Sequence, residues 1–254
     1  KKILAYNAKD IIGITGPEDI FELGSGASKK TKLIINEKLK INKDFTYSSL
    51  DISKKALEMG YDEIKRLNKG LNINLFQGDF VFDLDKLTLN KVNRLFLFLG
   101  STIGNFKNDL AITFLTNLRK IMNQGDYLLL GVDMIKDQNI ITSAYNDKKG
   151  VTKKFNKNIL KVINEKYNLN FNQQLFEHQA IFNTAKSQVE MFLKATKEHC
   201  IVLPNNNKVV IKTGEKILTE ISRKFSINEI GNIFASSNLK IYKHYKDEND
   251  YYSL

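Results

Sequence analysis

Short apolar runs alternate with stretches of helical spacing through the first half of the chain. Asp19-Ile20-Phe21-Glu22-Leu23 is a strand-sized run that ends in glycines. Residues 30–40 carry Leu33, Ile34 and Leu39 at helical spacing. Residues 45–50 predict a second strand, and Ser53 is a candidate N-cap for a helix to about residue 69. Third and fourth strands are expected at 72–76 and 94–99, a helix at 110–122, and a fifth strand at 126–133. Strands that are apolar throughout and alternate with helices indicate a parallel sheet covered on both faces.

The pattern changes near residue 140. Helical spacing at 140–145 and 151–167 flanks a polar turn, Asn146-Asp147-Lys148-Lys149-Gly150. Strand-like stretches follow at 179–182, 188–195, 208–212 and 216–222, with Pro204 and Asn205-Asn206-Asn207 marking a hairpin turn. A helix at 226–237 and a strand at 239–244 come next, and Tyr251-Tyr252-Ser253-Leu254 reads as the start of a further strand. The expected architecture is α/β. A parallel domain of 1–139 and 223–254 carries a mainly antiparallel α+β insertion at 140–222.

Composition narrows the classes. The chain has 254 residues, 42% hydrophobic and 26% charged, enough apolar surface for a sizeable core. No apolar run approaches the roughly 20 residues of a membrane span, so no membrane partner is expected. Cys200 is the single cysteine, which excludes a disulfide within the chain and favours a reducing, cytoplasmic setting. With His178, His199 and His244 it forms no metal-ligand spacing, so no metal is expected. The net charge of +11 invites a nucleic-acid reading. Only four of the 39 basic residues are arginine (Arg66, Arg94, Arg119 and Arg223), and the lysines are spread along the chain. Phosphate and base recognition favours the arginine fork, so no nucleic-acid partner is expected. The chain starts at Lys1 rather than Met and is expected to be part of a longer product. A monomer is the favoured state.

Glu22-Leu23-Gly24-Ser25-Gly26 closes the first strand and precedes a helix. Glycines there admit a ligand to the backbone, and a tight strand-to-helix turn explains them equally. A dinucleotide fingerprint would have a third glycine where Lys29 stands. The acid-x-Gly-x-Gly form instead resembles the first motif of S-adenosylmethionine-dependent methyltransferases. Asp51, after the second strand, would then hold ribose hydroxyls, and Asp79, after the third, would meet the adenine edge. Each acid could also be an ordinary cap. Gly100-Ser101-Thr102-Ile103-Gly104-Asn105 follows the fourth strand, at the carboxyl edge where such sheets bind ligands. The Asn105 amide offers an acceptor and a donor, which suits the amine and carboxylate of an α-amino acid, or simply caps the loop.

Over nearly its whole length the chain resembles the L-histidine Nα-methyltransferases of ergothioneine biosynthesis, which make trimethylhistidine (hercynine). The resemblance runs through Glu22 to Gly26 with Lys30-Thr31-Lys32, Asp51-Ile52-Ser53, Gly78-Asp79-Phe80 and Gly100 to Phe106. It continues through Gly131-Val132-Asp133, Ala144-Tyr145-Asn146-Asp147, Gly150-Val151-Thr152, Phe155-Asn156, Val189-Glu190-Met191 and Thr219-Glu220-Ile221-Ser222. It implies a class I Rossmann-like methyltransferase fold with a substrate-binding insertion. It implies S-adenosylmethionine as cofactor, held by Glu22, Gly24, Gly26, Lys30, Asp51 and Asp79, with Lys30 at the cofactor carboxylate. Asn105 and Tyr145 would be the catalytic residues and bind the amino and carboxylate groups of histidine, with the Gly100 backbone nearby. Glu220 and Ser222 would bind the imidazole and Met191 would line its pocket.

The residues bear on these assignments. Glu220 and Ser222 are two apart on an expected strand and share a face. A carboxylate accepts from one ring N–H and a hydroxyl can donate to the other nitrogen, so the pair can read a neutral imidazole. Met191 shares a face with Val189 and Leu193 and could be plain core, Tyr145 could be a helix-end aromatic, and Lys30 could belong to a solvated face. Family members carry several dozen residues before the position of Lys1, which contribute to the pocket and its lid. The alternatives are a methyltransferase for another α-amino acid or amine, or a shortened, non-catalytic or partner-dependent relative.

Overall fold

A computed structural model describes residues 1–87, 89 and 92–254. In chain order the elements are α1 (Lys2–Thr15), β1 (Asp19–Leu23), α2 (Lys32–Ile41), β2 (Thr46–Asp51), α3 (Lys54–Lys65), β3 (Asn72–Gln77), β4 (Arg94–Phe98), α4 (Asn108–Ile121), β5 (Tyr127–Leu130) and β6 (Val132–Asp133). They continue with α5 (Gln138–Tyr145), α6 (Val151–Tyr167), β7 (Phe176–Asn183), β8 (Gln188–Ala195), β9 (His199–Val202), β10 (Lys208–Ile211), β11 (Lys216–Arg223), α7 (Ile227–Ser236) and β12 (Tyr252–Ser253). Two compact units result, one of Lys1–Met134 with Phe225–Leu254 and one of Ile135–Lys224.

The first unit is built on a five-stranded sheet in the order β3-β2-β1-β4-β5, with every neighbouring pair parallel. Alternation along the strands sends side chains into two cores. Ile20, Tyr47, Leu95 and Leu97 meet Ile11 and Ile12 of α1 and Ile34 and Ile35 of α2 on one face. Phe21, Phe96 and Phe98 meet Phe114, Leu115 and Leu118 of α4 and Ile230 and Ile233 of α7 on the other. All five residues of β1 are buried, as expected of a central parallel strand. Helix starts follow their caps. Ser53 accepts from the Ala56 N–H at 3.2 Å, and Ser226 forms a capping box with Glu229.

The second unit has a three-stranded sheet in the order β11-β8-β7, antiparallel throughout. Val189 and Met191 of β8 pack with Ile141 of α5, and Leu193 and Ala195 pack with Leu160 of α6. One face of β8 thus carries both apolar clusters, because these residues alternate in register. β9 and β10 form a hairpin, and the Leu203 and Asn206 backbones close its turn, as Pro204 and the asparagine run predict.

Three expectations are corrected. The stretch 239–244 is not a strand. The Tyr242 ring meets Tyr127 of β5 edge-on at 5.6 Å, and a groove of about 690 Å³ lines the segment and β5. The aromatic pair holds the segment by side chains, without a ladder. The run 126–133 is two strands, because β6 leaves the parallel sheet after Gly131 and pairs antiparallel with β12. The helix expected to reach about residue 69 ends at Lys65, where Asn68 folds a turn by accepting the Gly70 N–H at 2.9 Å. Helix α1 and strand β9 were not anticipated.

Candidate active site

In the first unit the carboxyl ends of β1 to β4 bring together the residues singled out for the cofactor. Gly24 follows β1 with φ +66°, a left-handed conformation that favours glycine, and a Cβ there would sit 3.1 Å from the Phe80 ring. The Phe80 ring is anchored against Phe98 at 5.2 Å and Phe114 at 5.8 Å. Asp51 ends β2 and ties the loops with both carboxylate oxygens. Oδ2 accepts the Gly26 N–H at 2.8 Å, and Oδ1 accepts the Ser53 N–H at 2.9 Å. Asp79 folds a turn of its own, accepting the Val81 N–H at 2.8 Å.

Glu22 does not face solvent. It is 4% exposed, accepting from the Thr31 hydroxyl and from the Tyr47 hydroxyl at 2.6 Å. Burial pushes its carboxyl up to about 7 against the pull of those hydrogen bonds. Its position supports the loop from beneath. Lys30 stands over the loop after β4, since a Cβ at Gly100 (φ +85°) would lie 2.7 Å from its Nζ. The Gly100 N–H donates to the Tyr252 hydroxyl at 3.0 Å, and burial raises that phenol to about 12, so it stays a neutral acceptor. Ser101 is left-handed at φ +63°, and its hydroxyl accepts the Asp133 N–H at 2.9 Å. Asn105 ends the short helical turn of this loop and is exposed. A carboxylate suited to a diol, an ammonium suited to a carboxylate and a glycine loop open to the backbone fit a nucleoside carrying an amino-acid tail.

In the second unit Tyr145, Ser222, Met191 and Glu220 gather around β8 and β11. The Tyr145 hydroxyl lies 2.7 Å from Ser222 Oγ. Glu220 stands opposite Met191 in the ladder, and Ser222 opposite Val189. Met191 is 2% exposed in the apolar cluster against which Tyr145 and Phe182 pack. The register slips between Leu218 and Glu220. Thr219, in the bulge, lies 2.6 Å from Asn156 Oδ1 and 2.9 Å from the Met191 carbonyl. Asn156 Nδ2 is 2.9 Å from His178 Nδ1, and His178 Nε2 is 2.9 Å from the Tyr145 carbonyl. A carbonyl only accepts, so Nε2 carries the proton. A chain of hydrogen bonds therefore runs from the bulge to the end of α5.

Sequence reasoning missed Lys224. It is 1% exposed and donates to the Tyr145 hydroxyl at 2.8 Å and to Ser222 Oγ at 2.9 Å. Its even spacing from Glu220 and Ser222 was the available signal. Tyr252 was also missed and carries no sequence signal beyond its polarity, while Thr31 stood in the Lys30-Thr31-Lys32 segment without a role of its own. Among the described residues no cluster of three or more His, Cys, Asp or Glu could hold a metal ion, and no helix is long and apolar enough to cross a membrane.

The strand order and the loops at the carboxyl edge define a class I methyltransferase fold. A solved S-adenosylmethionine-dependent methyltransferase from Clostridium acetobutylicum superposes with a TM-score of 0.56 at 11% identity, covering 99% of this chain and 89% of its own. Residues 1–254 match the family model described as histidine-specific methyltransferase, SAM-dependent, and the chain belongs to that family. It is 34% identical to a histidine N-alpha-methyltransferase of Mycobacterium tuberculosis, over 97% of this chain and 77% of that protein. It is 26% identical to ergothioneine biosynthesis protein 1 of Schizosaccharomyces pombe, over 97% of this chain and 33% of that protein.

Proposed function

We propose that the chain methylates the α-amino group of L-histidine, up to trimethylhistidine, and so serves the first step of ergothioneine biosynthesis. The similarity to histidine N-alpha-methyltransferases over most of both chains carries this reading. When bound, S-adenosylmethionine supplies a methyl group on a sulfonium, which an unprotonated amine can take up. Gly24, Gly26, Asp51 and Asp79 would hold the nucleoside, and Lys30 the carboxylate of its amino-acid tail. Glu22 would act by supporting the loop.

Asn105 and the Gly100 backbone would address the amino and carboxylate groups of histidine. Tyr145 would bind a backbone group of histidine, and Glu220 and Ser222 would read the two ring nitrogens, with Met191 against the ring. Asn105 cannot take a proton, because an amide is not a base near neutral pH. A proton of the histidine ammonium is lost to solvent before each transfer, three in all for trimethylhistidine, and the residues act by positioning the amine. Calorimetric titration with L-histidine and with histamine, in the presence of S-adenosylhomocysteine, tests the pocket. Binding of histidine and loss of histamine are expected. Equal binding of both would remove the carboxylate contacts from the account.

A further inference from the structure

We propose that Lys224 is a positioning residue for substrate, holding the Tyr145 and Ser222 hydroxyls so that together they offer one outward O–H. This rests on the reading that Tyr145 and Ser222 bind histidine. An ammonium at 1% exposure is costly to bury unless its N–H groups are met, and a packed apolar side chain would fill the position at lower cost. Two of its N–H groups go to the very hydroxyls assigned to substrate, at 2.8 and 2.9 Å. The ammonium also lies 4.8 Å from the Tyr145 ring centroid, a cation–π contact that fixes the ring as well as its hydroxyl.

Counting protons gives the consequence. The ammonium has no lone pair, so both hydroxyl oxygens must accept from it. The hydroxyls are also 2.7 Å apart, and that bond uses one of their two protons. One O–H remains for substrate. When Tyr145 donates to Ser222, the free proton belongs to Ser222. The serine oxygen then has both lone pairs occupied and can only donate. Such a donor selects a ring nitrogen with a lone pair, while Glu220 selects a ring nitrogen with a proton. The pair of signals matches a neutral imidazole and rejects a ring that lacks the acceptor nitrogen, such as an indole or a phenyl ring. Without the ammonium either hydroxyl can turn, and the serine can accept as well as donate.

The test is a double-mutant cycle read by calorimetry of L-histidine with S-adenosylhomocysteine present. Lys224→Met should weaken histidine binding about tenfold or more in the wild-type background, the scale of a lost charged hydrogen bond. The same change in a Tyr145→Phe, Ser222→Ala background should weaken it less than about threefold, because the coupled partners are gone. S-adenosylhomocysteine affinity should stay level, and the loss in turnover should fall on KM rather than kcat. Lys224→Gln, which keeps an N–H donor, serves as the second variant if the methionine variant does not fold, with a smaller loss and the same coupling. Equal losses in both backgrounds, or no loss in either, overturn the proposal while leaving the substrate reading intact. If Tyr145→Phe with Ser222→Ala alone leaves histidine binding unchanged, the substrate reading fails and this proposal fails with it.

Discussion

Asp51 holds two loops with one carboxylate, and it is also the group assigned to the cofactor ribose. Replacing it with alanine removes acceptors for the Gly26 and Ser53 N–H groups. Asp51→Ala should weaken S-adenosylhomocysteine binding by about 2 kcal/mol, roughly thirtyfold, the range for hydrogen bonds to a charged group. Calorimetry checks this, and unchanged affinity in a folded variant would withdraw the assignment. Glu22 gives a pH signature. Its carboxyl ionises near 7 when folded, against an ordinary 4.5. Between those values the folded chain binds the proton more tightly than the unfolded chain. Stability from this group is therefore present below about pH 4.5 and lost as pH rises through about 7, by roughly 3 kcal/mol at most. Urea unfolding from pH 5 to 8 should show the decline, and Glu22→Gln should flatten it. Parallel curves for the two proteins would place the titration elsewhere. The place of Asp51 at the end of β2 was legible because the run before it, residues 45–50, reads as a strand. The burial of Glu22 was not, since its Tyr47 and Thr31 partners come from elements brought beside it only by packing.

At the scale of elements, the bulge in β11 sets which residues face together. Thr219 sits at the slip in register and lies within hydrogen-bonding distance of Asn156 and the Met191 carbonyl. Thr219→Val keeps the shape and removes the hydroxyl, leaving the buried Asn156 carbonyl oxygen without that donor. A cost of about 1–3 kcal/mol in unfolding free energy is expected, together with weaker histidine binding and unchanged S-adenosylhomocysteine binding. A stability loss with full histidine affinity would separate the bulge from the pocket. The elements most open to sequence reading were those with a strong period, such as α6 and β8. α1 was equally periodic, with Ile3, Leu4, Ala8, Ile11 and Ile12 buried on one side, and its signal could have been taken. The stretch 239–244 misled because apolar and aromatic residues suit a strand. Whether they join a ladder depends on tertiary approach, which Tyr127 and Tyr242 decide.

For the whole molecule, the parallel order of the first unit follows from alternating apolar strands and helices, and it positions the glycine loop, Asp51, Asp79 and Gly100 at one edge. The composition of the second unit told less. Its strands were visible, but Lys224 reads as one lysine among many until burial and parity set it beside Ser222. The net charge of +11 has no role in the proposed chemistry, because histidine is close to neutral overall. KM for L-histidine should change less than about threefold between 50 and 300 mM salt. A substrate bound through several phosphates would lose orders of magnitude over such a range. A steep salt dependence would shift attention to a polyanionic partner.

The most direct measurement is turnover of L-histidine with S-adenosylmethionine, with the product read by mass and its methyl position by NMR. Methyl groups are expected on the α-nitrogen alone, up to three, with no product from histamine. Glu220→Ala should abolish this turnover while leaving S-adenosylhomocysteine binding in place. Methyl groups on a ring nitrogen, or turnover of another amino acid with histidine untouched, would contradict the proposed function.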